Sequence, residues 1–254
     1  MLEDEATNLE IGKVLSQACA RLGMVYVFKA SFDKANRSSA SSARGPGLRV
    51  GCDRIKAIGA ALGVPTTTDI HEPGHAAHAA TCVDILQIPA FLSRQTDLLA
   101  AAGATGRIVN VKKGQFMAPA EMKGAVEKTR AAGASGVMVT ERGTFFGYHR
   151  LVTDFVGLGD LLEWGHGVNV PTCFDVTHST QLPGAEGSGS GGRPERAPLL
   201  ARAAVAAGVD SIFLECHPDP SKASSDRATS LPLGAVPALL ESLAAIRLAT
   251  ARMP

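Results

Sequence analysis

Two sets of residues in this chain could do chemistry. The first is cationic. The stretch "FKASFDKANRSSASSARGPG" (28–47) sets Lys29, Lys34, Asn36, Arg37 and Ser38 just past an apolar run, and Lys112, Lys113, Arg142 and Arg94 follow three other apolar runs. Ammonium and guanidinium groups that share one cavity repel unless an anion lies between them, and together they suit phosphate or carboxylate. Taken singly, each is most simply a solvated rim charge. Seven cations from four run ends (Lys29, Lys34, Arg37, Lys112, Lys113, Arg142 and Arg94) are harder to explain as rim charges. The second set is metal-ligating in type. His178 closes "FDVTH", Glu215 closes "FLE" and Asp226 lies in "SSDRATSLPL". One imidazole and two carboxylates would suit a divalent cation. Alone this signal is weak, because a His after a strand is more often a hydrogen-bonded structural residue and an Asp can simply cap a turn. His71, His149 and His217 have no better claim. The Gly/Ser-rich "GAEGSGSGGRPER" (184–196) follows His178 and reads either as a connector or as a lid over substrate.

These groups need elements to position them. Apolar runs of strand length occur at 25–29, 65–69, 85–90, 108–112, 137–141, 173–177 and 211–215, with helical patterns at 8–23, 54–63, 119–133, 194–208 and 231–249. Alternating strands and helices point to a parallel sheet, and strands apolar throughout point to one covered on both faces. A doubly wound sheet is one solution, but no GxGxxG follows the first strand. An eight-stranded (β/α) barrel is the other. It requires reactive residues just past the carboxyl ends of many strands, where this chain carries them. The expected architecture is a single-domain TIM barrel over 1–254. Seven strands are countable where eight are needed, and a helix precedes the first; either the first strand is missing from the N-terminus or one strand was overlooked.

Bulk properties narrow the function. In 254 residues the hydrophobic content is 45%, enough for a sizeable core, and 25 Lys+Arg against 24 Asp+Glu give a net charge of +1. Without a basic excess, a nucleic-acid or anionic-membrane surface is not expected. No run reads as long enough to span a membrane, and the polar, acidic start is not a secretory signal. Five cysteines without a CxxC pair suggest reduced thiols in the cytoplasm.

The segments "FKASFDKANRSS", "TTDIHEP", "QIPAFLSRQTDLL", "VNVKKGQF", "ERGTFFGY", "FDVTHSTQLPG", "ECHPDP" and "SDRATSLPL" occur in that order. Together they resemble the 3-deoxy-D-manno-octulosonate 8-phosphate synthases, of the metal-dependent type. The resemblance covers nearly the whole chain after the first helix. It implies condensation of phosphoenolpyruvate with arabinose 5-phosphate for lipopolysaccharide precursors, by a cytoplasmic homotetramer. By resemblance, Lys29, Lys112 and Arg142 hold the phosphoenolpyruvate phosphate and carboxylate, and Ser31, Gln87 and Ala90 line that region. Asn36, Arg37 and Ser38 match the grip on the sugar phosphate, and Arg94 matches an arginine given across a subunit interface. Lys34 and Asp69 match residues near the reacting end of the sugar. His178, which also counts among the expected catalytic residues, matches a metal ligand together with Glu215 and Asp226; the ion would be Mn, Fe, Co or Zn.

The chain departs from the family pattern in two places. The family's Cys ligand sits in a "GPC" segment at the end of its first strand, before a pattern like "VLESEE", and this chain begins "MLEDEA". The expectation is that strand and Cys are absent together, through a misassigned start or a true truncation. Arg150 stands where the family usually has Asn. Two other readings remain: an inactive or phosphate-binding barrel, and a related condensing synthase or aldolase on the same fold.

Overall fold

The computed structural model describes residues 1–36, 43–186 and 189–251. All seven expected strands form: β1 (Phe28–Lys29), β2 (Thr66–Asp69), β3 (Ile85–Ile88), β4 (Ile108–Lys112), β5 (Gly136–Glu141), β6 (Thr172–Asp175) and β7 (Ser211–Phe213). They pair in sequence order and every pairing is parallel, from Phe28 opposite Thr66 to Phe213 opposite Asp175. That is the strand order of a TIM-type barrel. Among the described residues, β1 and β7 are the ends of this order. A cavity of about 600 Å³ lies between them, lined by Tyr26, Phe28, Lys29, Ile212, Phe213 and Leu214 among others. The apolar run that suggested a strand over 25–29 pairs only at Phe28 and Lys29, and Val25 is 84% exposed.

Strand parity divides the side chains. On one face Leu86, Ile88, Val109, Val111, Val137 and Val139 join an apolar cluster with Ile55, Leu99 and Met122 of the covering helices. Phe174 does the same in a second cluster with Leu15, Ala201, Val236 and Leu240. The alternate positions, Asp69, Gln87, Asn110, Lys112, Thr140 and Asp175, are polar and buried. They line the concave side.

The covering helices are α1 (Glu5–Arg21), α2 (Leu48–Leu62), α3 (Ala76–Ala79), α4 (Thr96–Gly103), α5 (Met122–Ala131), α6 (Phe155–Gly167), α7 (Ala197–Ala207) and α8 (Val236–Thr250). α2 and α7 end on the left-handed glycines expected there, Gly63 (φ +65°) and Gly208 (φ +102°). The prolines at 119 and 194 start 3₁₀ turns, and the α-helices follow them. The span Leu233–Thr250 reaches the length and hydropathy of a membrane span (18 residues, mean 1.4), contrary to the sequence reading. It nevertheless carries Glu241 and Arg247, and it buries Val236, Leu239, Leu240 and Leu243 in the second apolar cluster. The segment expected as a Gly/Ser loop instead forms an antiparallel hairpin, Gln181–Glu186 with Gly189–Gly192. Gly192 packs closely there: an added Cβ would lie 2.6 Å from the Ala228 carbonyl oxygen.

Candidate active site

The concave face ends in a mouth at the carboxyl ends of the strands. Lys29 Nζ donates to Ser31 Oγ (2.9 Å), Ser31 Oγ donates to Asp69 Oδ1 (2.5 Å), and Lys29 Nζ is 3.4 Å from that same oxygen. His71 Nε2 lies 2.9 Å from Asp69 Oδ2. Burial opposes ionisation of Asp69, but Lys29, the His71 hydrogen bond and Lys34 override it and hold its pKa well below the usual carboxylate range.

Across the mouth Lys112 Nζ donates to Asp175 Oδ2 at 2.6 Å and sits 3.7 Å above the Phe213 ring centroid. Lys29 approaches the same ring at 5.4 Å. Burial lowers the Lys112 pKa; Asp175 pulls it up, while Lys29 and Arg142 push it further down. Arg142 is lowered too, again first by burial, and an anionic ligand would oppose that effect on both Lys112 and Arg142. Arg142 is buried and donates to Gln181 Oε1 at 2.8 Å. Beneath them Asn110 Nδ2 donates to Gln87 Oε1 (3.4 Å), and Thr140 Oγ1 donates to Asn110 Oδ1 (2.7 Å).

Lys113 does not share the mouth. It follows Lys112 on the strand and so points the opposite way. Its fully buried ammonium donates to the carbonyls of Gly114 and Met117 (3.3 and 3.2 Å) and lies 3.6 Å from Glu141 Oε1. That pair belongs to the structural side of the sheet, which corrects its inclusion among the anion-facing cations.

His178, Glu215 and Asp226 converge, with one donor atom from each lying within 4.8 Å of the others. His178 Nδ1 lies 2.8 Å from Asp175 Oδ2, and the backbone N–H of His178 donates to Asp175 Oδ1 at 3.0 Å. A carboxylate facing Nδ1 is the arrangement that, in a ligating histidine, keeps the proton on Nδ1 and turns Nε2 toward the ion. Nε2 then faces Glu215 Oε1 at 3.5 Å and Asp226 Oδ1 at 3.8 Å. Thr177 Oγ1 accepts from Glu215 N (3.2 Å), and Asp226 takes a left-handed backbone, φ +55°. One oriented imidazole nitrogen and two carboxylates fit a divalent cation as a donor set. Lys34 Nζ lies 3.1 Å from Asp226 Oδ2, beside this cluster. Burial works against its charge, but Asp226, Glu215 and Asp69 raise its pKa, so Lys34 stays protonated.

The other expected residues lie elsewhere. Ala90 is buried where β3 gives way to a 3₁₀ turn; Asn36 and Arg94 are exposed, and Arg94 joins none of these contacts. Arg37 and Ser38 lie outside the described residues. Arg150 is exposed on the hairpin Thr144–Phe145/Leu151–Val152, and nothing in its surroundings explains the change from Asn.

The sequence matches the DAHP synthetase I family over residues 1–249. The chain belongs to that family. Within it, the chain is 54% identical over 245 residues to a protein of Nitratidesulfovibrio vulgaris, covering 96% of this chain and 88% of the relative. It is 49% identical over 251 residues to one of a Cyanothece species (99% and 90% covered) and 52% over 242 residues to one of Rhodopseudomonas palustris (95% and 83%). Each of the three is named 2-dehydro-3-deoxyphosphooctonate aldolase. Sequence reasoning did not single out Asp175, Phe213, Asn110 and Gln181, which the structure brings into these contacts. Parity offered a signal for two of them. Asn110 stands two residues before Lys112, and Asp175 follows the apolar Phe174 on the opposite parity, so each falls on the face away from the apolar positions.

Proposed function

We propose that this chain condenses phosphoenolpyruvate with D-arabinose 5-phosphate and water, giving 3-deoxy-D-manno-octulosonate 8-phosphate and inorganic phosphate. The observation that carries the reading is the juxtaposition of Lys29, Lys112 and Arg142 with the His178–Glu215–Asp226 cluster, in a chain about half identical to relatives of that name.

The substrates are both anions and repel one another, so positioning is the main task. Lys29, Lys112 and Arg142 hold the phosphate and carboxylate of phosphoenolpyruvate against the wall formed by Ser31, Gln87 and Ala90. Asn36, Arg37 and Ser38 grip the sugar phosphate, and Arg94 comes from a neighbouring subunit of a homotetramer. C3 of phosphoenolpyruvate then bonds to the aldehyde carbon. The electron pair displaced from the carbonyl collects on its oxygen, where protonated Lys34, held by Asp226, donates a hydrogen bond. Asp69 keeps Lys29 and Ser31 aligned beside it. Water adds at C2, its protons pass to the new alkoxide and to solvent, and the bond from C2 to the phosphate oxygen breaks with its electrons leaving on inorganic phosphate. His178, Glu215 and Asp226 would hold a divalent ion, which when bound supplies a Lewis acid at the mouth. The strands Gln181–Glu186 and Gly189–Gly192 act as a cover that limits stray water, and the reaction takes place in the cytoplasm.

The test is phosphate release with Mn²⁺ or Zn²⁺ present. Release should require both substrates together. Equal release from phosphoenolpyruvate alone would make the chain a phosphatase, and turnover of pyruvate without phosphate release would make it a different aldolase.

A further inference from the structure

A second group of donors lies outside the mouth. Cys52 sits on α2, His78 on α3, and Cys82 in the turn leading to β3; one donor atom from each lies within 4.8 Å of the other two. Ligands at tetrahedral zinc distances stand about 3.4–3.8 Å apart, so a closure of no more than about 1.4 Å brings all three onto one ion. The frame is tied: Lys56 Nζ of α2 donates to the Thr81 carbonyl (3.3 Å), Thr81 Oγ1 donates to the His78 carbonyl (2.8 Å), and Cys82 N donates to the Ala79 carbonyl (2.9 Å).

Two further observations point to an occupant. His78 Nε2 is buried and has no hydrogen-bond partner. A buried polar atom left unmatched costs about 1–3 kcal/mol, and a metal ion is one partner able to remove that cost. Asp53, exposed beside Cys52, brings Oδ1 to 3.9 Å from Cys82 Sγ and supplies a carboxylate on the solvent side. Packing alone explains buried thiols; it does not explain an orphaned imidazole nitrogen on a His clustered with two thiols.

We infer that Cys52, His78 and Cys82 form a second metal site, with Asp53 as a fourth donor, selective for a zinc-type divalent ion. Two thiolates and an imidazole are a soft donor set, favouring Zn²⁺ or Co²⁺ over Mg²⁺ or Mn²⁺. The His178–Glu215–Asp226 cluster has only nitrogen and oxygen donors, so the two sites differ in kind. Binding replaces two S–H bonds by two metal–sulfur bonds and releases two protons to solvent. The site would clamp α2 to the α3 turn and stabilise the fold without entering the reaction.

Co²⁺ separates the sites spectroscopically. The full chain, reduced and stripped of metal, is titrated with Co²⁺. A near-ultraviolet thiolate-to-cobalt charge-transfer band should grow to saturation, reach it at one equivalent when the mouth site is removed by His178→Ala, and bleach when Zn²⁺ is added. The band should persist in His178→Ala, vanish in Cys82→Ser, and need at least tenfold more Co²⁺ in His78→Ala. Cys52 is wholly buried while Cys82 and His78 are less so, so Cys82→Ser and His78→Ala carry the test, with circular dichroism checking that each variant is folded. Absence of the band at saturating Co²⁺, its survival in Cys82→Ser, or unchanged affinity in His78→Ala would overturn the site.

Discussion

Replacing Lys112 by Met keeps a long apolar stem and removes one charge. Two consequences can be separated. Lys112 Nζ is 2.6 Å from Asp175 Oδ2, and the Asp175 side chain is wholly buried. Removing one partner of a buried pair costs about 3–5 kcal/mol when the other charge is stranded. Asp175 is not wholly stranded, because the backbone N–H of His178 still donates to it and His178 Nδ1 stays within 2.8 Å. The stability loss should therefore fall at the lower end, about 3 kcal/mol. Lys112→Met/Asp175→Asn should recover part of it, with an interaction energy of about 2 kcal/mol. For the ligand, one charge-assisted hydrogen bond disappears, about 1.5–3 kcal/mol, or roughly ten- to a hundredfold in affinity. Because Lys29 and Arg142 already press on Lys112 electrostatically, its removal relieves them, and the loss should lie near tenfold. Urea unfolding measures the first quantity and calorimetric titration with phosphoenolpyruvate the second. If stability falls while affinity is unchanged, Lys112 is only a partner for Asp175, and the argument that the mouth binds an anion through it fails.

His178→Ala should abolish stoichiometric binding of Mn²⁺, measured by equilibrium dialysis and metal analysis; retention of one Mn²⁺ per chain would dissolve the ligand set. Asp69→Asn should lose about 3 kcal/mol of stability at neutral pH, through the pairing with Lys29. Because the folded pKa of Asp69 is depressed, its contribution is full above the unfolded carboxylate value near 4 and is lost as pH falls below it. The stability gap between the two proteins should therefore be constant from pH 7 to about 5 and close below about 4; a gap independent of pH would refute the assignment. Arg94 is exposed, so Arg94→Ala should change unfolding by no more than about 0.5 kcal/mol while raising KM for the sugar phosphate. An unchanged KM would remove it from the site.

The parallel sheet was legible because its strands are short apolar runs ended by polar residues, and burial on both faces demands that pattern. Three helices were not: the one-turn α3, α4 and α6. α6 contains Gly157, Gly159 and Gly165, weak helix formers; Leu158, Leu161 and Leu162 hold it helical by packing into the apolar clusters. α4 is alanine-rich on every side and shows little amphipathic contrast, yet Gly103 lets α5 approach so closely that a Cβ there would lie 2.4 Å from the Thr129 carbonyl oxygen. The strand expected at 25–29 shrank because apolar character does not supply a hydrogen-bonded neighbour. At the mouth, residue types pointed to cations and to His178, Glu215 and Asp226. They could not show Asp175 as the hinge between Lys112 and His178, because that role exists only when β4 and β6 bring the three together. The Cys52–His78–Cys82 group was invisible for the same reason: its members span two helices and a turn, with no CxxC spacing to announce them.

The central claim is carbon–carbon bond formation, and one labelling experiment tests it most directly. The chain is incubated with phosphoenolpyruvate carrying ¹³C at C3, arabinose 5-phosphate and Mn²⁺, and the products are followed by NMR and mass spectrometry. The account predicts the label in a new methylene carbon of an eight-carbon acid phosphate, with one phosphate released per product. Label recovered only in pyruvate, or only in unconverted phosphoenolpyruvate, would contradict it.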